Sequence, residues 1–384
     1  MSHVSSICLR NSAFSLLVSV FILMLTACGD LRESKVDGYG LPVVQIEMNS
    51  ETLGLLLGQV TSKRPVAAEV KMQGDVKMKC EVSFAGQSSL NDYRKSLNLR
   101  ACKNHPSEQT RFRLAAQNRD KTTNRAILAY EMFARTGMTV PTTELVSAYV
   151  NHDFLGVYLL TEPISSEYFH RRGIRVADIY QSKFGNAGFR KEFSSNLSEA
   201  FDYEGDGKDN YAALQGVYKT LWDNLSDEEF ERRIEMQIDV DNFMSYMATA
   251  VYTAHWDGFD NNYFMALDKT KRKLIVAPWD LDRVWEKAFE FNPADFLSRN
   301  QLLFRMMTIS SFRKVFASKL DLLLENFPVE VQLSNLEMKK AHSQSALAMD
   351  KVNGPDLEAS FDGFEEQIKV WNEKIRTFRN TIAE

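Results

Sequence analysis

From Pro42 to about Ile164 the alternation of apolar and polar positions has the two-residue period of half-buried strands. The runs Val43-Val44-Gln45-Ile46, Glu81-Val82-Ser83-Phe84 and Ser96-Leu97-Asn98-Leu99 show it most clearly. One helix is predicted to interrupt, from about Thr123 to Arg135, where Ile127, Leu128, Met132 and Phe133 form an apolar stripe and Gly137 stands at the C-cap place. A hairpin follows, with arms Leu145 to Val150 and Gly156 to Leu160 around Asn151-His152-Asp153. After Glu162 the pattern turns helical and aromatic, and the polar stretch from about Asn186 to Asn210 reads as a surface loop. Helical spacing resumes at about Ala212 to Asn224 and Glu228 to Gln237. A longer helix starts near Asp241, with Phe243, Met247 and Val251 on one face and Asp239 as its N-cap. The C-terminal stretch is predicted helical, with breaks at Pro328 and Gly354-Pro355. The expectation is an α+β fold with a β-rich lobe at residues 41–165 and a helical lobe at 166–384.

The first residues follow another rule. Arg10 precedes an apolar run from about Phe14 to Leu25, which ends in Leu25-Thr26-Ala27-Cys28. Some dozen apolar residues are too few to span a bilayer as an anchor. Small residues directly before a cysteine suit cleavage followed by lipidation of Cys28, and the pattern resembles a bacterial lipobox. Residues 1–27 are therefore expected to be a signal peptide and 28–40, with Gly29, Gly38 and Gly40 among charges, a tether. That places the mature chain in the bacterial cell envelope, held to a membrane by its N-terminal lipid.

An exported chain keeps Cys80 and Cys102 in an oxidising compartment. They lie eleven residues either side of Asn91, so a hairpin turning there sets them opposite one another. A cross-strand disulfide is the expected outcome and two buried thiols the alternative; no Cys pair or His cluster of zinc-site spacing accompanies them. The composition is that of an ordinary globular chain, with 384 residues, 44% hydrophobic and 25% charged. The formal charge is -5, and loss of the leader with Arg10 makes it -6. Without a strongly basic segment, nucleic acid is not an expected partner. A monomer is expected.

The chemistry concentrates in His255-Trp256-Asp257-Gly258-Phe259-Asp260-Asn261-Asn262, then Tyr263 to Leu267, a Lys-rich turn, Leu274 to Ala277 and Pro278-Trp279-Asp280-Leu281-Asp282. Asn262 stands nine residues before Lys271 and Asp280 nine after it, so folding the hairpin 255–282 brings them together at its base. Asp257 lies on the loop feeding the same place. Two carboxylates and an amide suit Mg²⁺ or Mn²⁺ together with phosphate oxygens. Asp280 and Asn262 are the expected metal ligands, and Asp257 the group that orients or deprotonates an attacking hydroxyl. An Asp-x4-Asn loop, a hairpin and a metal Asp follow in the same order in protein kinases.

Over about residues 70 to 325 the chain resembles the spore-coat-protein-H (CotH) kinase family. Four blocks carry the likeness: Gly86-Gln87-Ser88-Ser89 with Lys95-Ser96; Asn124 to Tyr130 followed by Gly137; Tyr149-Val150-Asn151 with Gly156 to Glu162; and Asp257…Asn262…Trp279-Asp280-Leu281-Asp282. The resemblance implies an atypical protein-kinase-like bilobal fold and ATP as phosphate donor. It implies Asp257 as catalytic aspartate and Asp280 as metal ligand, with Asn262 beside it. Lys95 takes the place that touches nucleotide phosphates, with Glu162 orienting it by ion pairing, and Ser88 and Ser89 help cradle the phosphates.

Plainer roles stand beside these: a solvated strand lysine for Lys95, a strand-end cap for Glu162, a helix-surface arginine for Arg125 and a structural loop histidine for His255. Trp256 stands where protein kinases carry the HRD arginine, no GxGxxG loop occurs, and Tyr180 is followed by Gln181 where the family often has lysine. The functional expectation is a metal-dependent kinase acting on Ser/Thr of envelope or secreted proteins. A non-catalytic surface lipoprotein and a metal-dependent phosphoesterase are the alternatives; the last wants more His and Asp ligands than the six scattered histidines supply.

Overall fold

The computed structural model describes residues 37–382, apart from 73–75, 87, 106, 206, 207 and 209. Cys28, the leader and most of the tether lie outside the described residues. Seven strands form a closed barrel: β1 Val43–Glu47, β2 Val66–Met72, β3 Val76–Ala85, β4 Ser96–Lys103, β5 Phe112–Ala115, β6 Thr143–Val150 and β7 Asp153–Thr161. Their order is β1-β2-β3-β4-β5-β7-β6, and β1 closes the ring by pairing in parallel with β6, from Val43 opposite Ser147 to Ile46 opposite Val150. Alternate residues point inward, so Val44, Ile46, Val70, Val82, Leu97, Leu99, Leu114, Val146, Ala148 and Leu160 fill the barrel. Two helices interrupt the strands where one was expected. The additional one is α1, Ser50–Leu57, capped by Asn49 through its bond from the Thr52 N–H.

The second helix, α2, spans Arg125–Arg135, two residues inside the predicted start. Leu128, Ala129, Met132 and Phe133 on its apolar stripe join Ala115, Leu145, Val157 and Leu159 from the outer face of the barrel in the main core. The barrel is thus packed on both faces along β5, β6 and β7, which fixes that wall against the rest of the chain.

After the barrel, the segment expected to be helical is mixed. It holds a short helix, α3, Ser166–His170, and two strands, β8 Val176–Ser182 and β9 Phe201–Tyr203. The stretch expected as a surface loop also departs from expectation: Ala187, Phe189, Leu197, Ala200 and Phe201 are buried in the core. Polar residues between those apolar ones masked the spacing. Helices α4 Ala212–Trp222, α5 Asp227–Gln237 and α6 Val240–Tyr252 follow, and Asp239 caps α6 by accepting from the Asn242 N–H. Every residue of α6 from Phe243 to Tyr252 is buried, making it the central rod of the helical part.

The hairpin β10 Tyr263–Asp268 and β11 Lys273–Pro278 adds to β8 and β9 in a four-stranded sheet of order β11-β10-β8-β9. Helices α7 Pro293–Leu297, α8 Gln301–Met306, α9 Ser310–Asn326, α10 Val329–Met349 and α11 Leu357–Thr381 complete the chain. The breaks at Pro328 and Gly354-Pro355 fall between helices as expected. Among the described residues no helix is long and apolar enough to cross a membrane. The architecture is α+β, β-rich first and mainly helical afterwards.

Cys80 and Cys102 form a disulfide across β3 and β4. Lys79 faces Lys103, and a one-residue shift follows between Lys79 and Glu81. Arg94, just before β4, crosses to the other end of the chain. Its guanidinium binds the Asp350 carboxylate behind α10 and the Ala116 carbonyl, all three groups being buried.

Candidate active site

The site sits at the base of the β10–β11 hairpin. Tyr263 pairs with Pro278, so the residue opposite Asn262 is Trp279, whose N–H donates to the Asn262 carbonyl at 3.2 Å. The equal-arm expectation was off by one residue because the turn is centred between Thr270 and Lys271. Asn262 still meets the expected partners: its Nδ2 donates to Asp257 Oδ2 at 3.0 Å and to the Asp280 carbonyl at 3.4 Å. Both Asn262 (φ 55°) and Asp280 (φ 56°) have left-handed backbones, and Asn and Asp tolerate that region better than most residues. Strained backbone at both feet of one hairpin is characteristic of a site whose geometry is over-determined by its surroundings.

Asp257 is 4% exposed. Loss of water pushes its carboxyl up to about 6, against hydrogen bonding from Asn261 and the charge of Arg283, with Asp260 and Asp280 adding to the rise. Asp282, half-buried two residues after Asp280, is pushed well up by desolvation and then by Asp280 and Asp120, while Arg283 pulls the other way. Acidic groups that raise one another in this way mark a place short of positive charge. Among the described residues no three acidic, histidine or cysteine side chains converge on a single point. Asp257, Asp280 and the Asn262 amide offer oxygen donors, the kind a hard cation takes.

The loop before Asn262 is held by its neighbours. His255 is fully enclosed, and burial drives its imidazole down to about 3, so it is a neutral packing group as its plainer reading had it. A Cβ on Gly258 would fall inside that ring. Tyr246 Oη donates to the Gly258 carbonyl at 2.8 Å, and Asp260 is buried between Arg299 and Arg190. Trp256 lies under two guanidiniums, Arg283 at 4.6 Å and Arg299 at 5.5 Å from its ring centre.

Two expected contacts are corrected. Lys95 Nζ donates to the Asp92 carbonyl at 3.0 Å, and Glu162 is buried against Arg171 and Arg172. The Lys95–Glu162 pair is therefore not formed, because Arg171 and Arg172, directly after α3, fold back onto the end of β7. Arg125 is not a helix-surface arginine: it is buried, donates to the Val284 carbonyl at 2.6 Å and to Gln367 at 2.6 Å, and lies 4.2 Å from the Phe364 ring centre. Asp120, also buried, pairs with Arg125 and accepts from Thr122 and the Arg125 N–H. Ser88 and Ser89 open a short 3-10 turn, Ser88–Asn91, between β3 and β4.

Other groups at the site carry no expected role. Tyr130 of α2 lies buried against the Asp280 backbone and feels its charge, along with that of Arg113. Arg113 of β5 stands 5.5 Å from the Trp279 ring centre. A lone charge in the apolar run Phe112 to Ala116 was the available signal for it.

Inner spore coat protein H of Bacillus subtilis (strain 168) is 22% identical over 332 residues, covering 83% of this chain and 91% of that protein. The crystal structure of the Helicobacter pylori proinflammatory kinase CtkA aligns over 82% of this chain and 92% of its own, at 10% identity and a TM-score of 0.32. Residues 82–378 match the family described as CotH kinase protein, from the middle of β3 to the last turns of α11 and so across the whole Asp257–Asp282 site. By that match, which takes in most of the chain, this protein belongs to the CotH kinase family.

Proposed function

We propose that the protein is an exported, lipid-anchored kinase that transfers the terminal phosphoryl group of ATP to a Ser or Thr hydroxyl of an envelope or secreted protein. The observation that carries this reading is the meeting of Asp257, Asn262 and Asp280 at one hairpin base, with the Asp257 carboxyl raised to about 6. Family membership supports ATP as donor. Export is supported by the leader pattern ending in Cys28 and by a disulfide between Cys80 and Cys102, a bond that persists in oxidising compartments.

The residues divide the work. Asp257 is ionised near neutral pH yet more basic than an ordinary carboxylate, which suits it to accept the hydroxyl proton as the phosphoryl group transfers. Asn262 Nδ2 donates to Asp257 Oδ2 at 3.0 Å and Asn261 Nδ2 to Oδ1 at 3.5 Å, so the two amides fix the carboxylate that would take the hydroxyl proton. Asp280 and the Asn262 amide oxygen would hold Mg²⁺ or Mn²⁺, with Asp282, whose carboxyl desolvation pushes well up, close by. The cation, when bound, neutralises charge developing on the phosphate oxygens. Tyr130 braces the Asp280 backbone from α2.

The test is incubation of the chain with ATP and Mg²⁺ or Mn²⁺, comparing wild type with Asp257→Asn and Asp280→Asn. Phosphate transfer to the protein itself or to casein is expected, lost in both variants. Absence of transfer, or transfer unchanged in both, overturns the kinase reading.

A further inference from the structure

The barrel wall that faces the hairpin carries a transverse row of polar side chains. Register places Ser83 opposite Asn98, Asn98 opposite Arg113 and Arg113 opposite Thr161, so all four share the outer face of β3, β4, β5 and β7. Inward neighbours Leu97, Leu99, Leu114 and Leu160 are apolar, as the two-residue period requires. Arg113 is half-buried and, among the described residues, has no carboxylate within ion-pair distance; its guanidinium lies over Trp279, the residue before Asp280. Thr161 is 6% exposed and its hydroxyl has no hydrogen-bond partner. The guanidinium thus lies beside a buried hydroxyl that lacks a partner, and an anion between them would satisfy the hydroxyl and pair the charge.

We infer that Arg113 and Thr161 form the anion subsite for the polyphosphate of the nucleotide, across from the Asp280 loop. This rests on the kinase reading and deepens it. Guanidinium presents two parallel N–H groups that match two phosphate oxygens, and its charge never titrates away. Lys95, the cation expected from sequence, directs its ammonium to the Asp92 carbonyl instead. Arg113 stands within charge range of Tyr130, which itself lies against Asp280, so Tyr130 lies between the subsite and the metal-binding foot. Trp279 stacks against the guanidinium and limits its motion, which lowers the ordering needed when phosphate arrives.

The experiment is equilibrium binding of ATP, tripolyphosphate and adenosine to the full-length chain in detergent, with KM and kcat for ATP where transfer is measurable. Arg113→Gln is expected to weaken ATP and tripolyphosphate on the order of tenfold to a hundredfold and to leave adenosine unchanged. Arg113→Lys should fall between, and Thr161→Val should weaken the same two anions severalfold. Thermal unfolding of each variant separates misfolding from lost contact; Arg113→Lys and Thr161→Val keep the test open if Arg113→Gln unfolds. Wild type that binds ATP equally well with Arg113→Gln or Arg113→Lys overturns this inference and leaves the kinase reading standing. Wild type that binds neither ATP nor tripolyphosphate overturns both.

Discussion

Arg94 and Asp350, on opposite sides of the molecule's division into barrel and helices, are joined in a buried ion pair. Asp350 also accepts from the Val157 N–H at 2.7 Å and from the Val352 and Asn353 N–H groups, so one carboxylate ties β7 and the start of β4 to the α10–α11 turn. Gly156, at φ 126°, has no Cβ because that Cβ would meet Asp350 and Arg94. Replacing Asp350 by Ala strands a buried guanidinium and is expected to destabilise by about 3–5 kcal/mol in denaturant unfolding. Gly156→Ala should cost about 1–3 kcal/mol on backbone strain alone and more with the clash. The two changes should be less than additive, since Asp350→Ala removes half of what the new methyl meets. Strict additivity would show that the contact carries no energy.

Asp257 leaves a signature in stability. Its carboxyl titrates higher in the folded protein than in the unfolded chain, so the fold binds a proton that the unfolded chain releases between pH about 4 and 6. Above pH 6 the penalty is fully present, about 3 kcal/mol at most; below pH 4 it vanishes. Asp257→Asn, which cannot ionise, is expected to be more stable than wild type at pH 7.5 and equal to it near pH 4. In the same pH series kcat/KM of wild type should fall on the acid side with an apparent pKa near 6. A stability difference independent of pH would remove the case for a raised Asp257.

Gly258 is dictated by His255. A side chain at 258 enters the space of an imidazole that is wholly enclosed, and the backbone carbonyl there is fixed by Tyr246. Gly258→Ala is expected to cost about 3 kcal/mol or more, as overpacking does in tight cores, and to lower phosphate transfer by displacing Asp257. His255→Ala in the Gly258→Ala background makes room and should recover part of the stability. No recovery would place the clash elsewhere.

The disulfide closes a loop of 22 residues that contains the turn before Lys95. Loop-closure entropy gives it about 3 kcal/mol. Cys80→Ser with Cys102→Ser should lower the unfolding midpoint accordingly, and dithiothreitol should do the same to wild type while leaving the double variant unmoved.

What was legible in the sequence was whatever depends on neighbours along the chain. Symmetry about Asn91 set Cys80 opposite Cys102 because the strand period is rigid. The same reasoning placed Asn262 beside Asp280 and erred by one residue because the turn centre cannot be read to half a residue. Asp239 was identifiable as a cap since caps are local. The contacts that failed come from distant segments. Glu162 is claimed by Arg171 and Arg172, and Arg125 is buried by Phe364 and Gln367 of the last helix. Strands β8 and β9 escaped because their aromatic residues face a core from which helices also draw.

The parallel pairing of β1 with β6 has a consequence for how the chain is made. Val43 emerges from synthesis long before its partner Ser147, and β1 has β2 on only one side until then. An open strand edge invites pairing with other chains. The barrel therefore stays unsealed through the making of β2 to β5 and closes only when β6 and β7 arrive, a late step of high contact order. Delay in the arrival of residues 143–161 is therefore the moment of greatest exposure to aggregation.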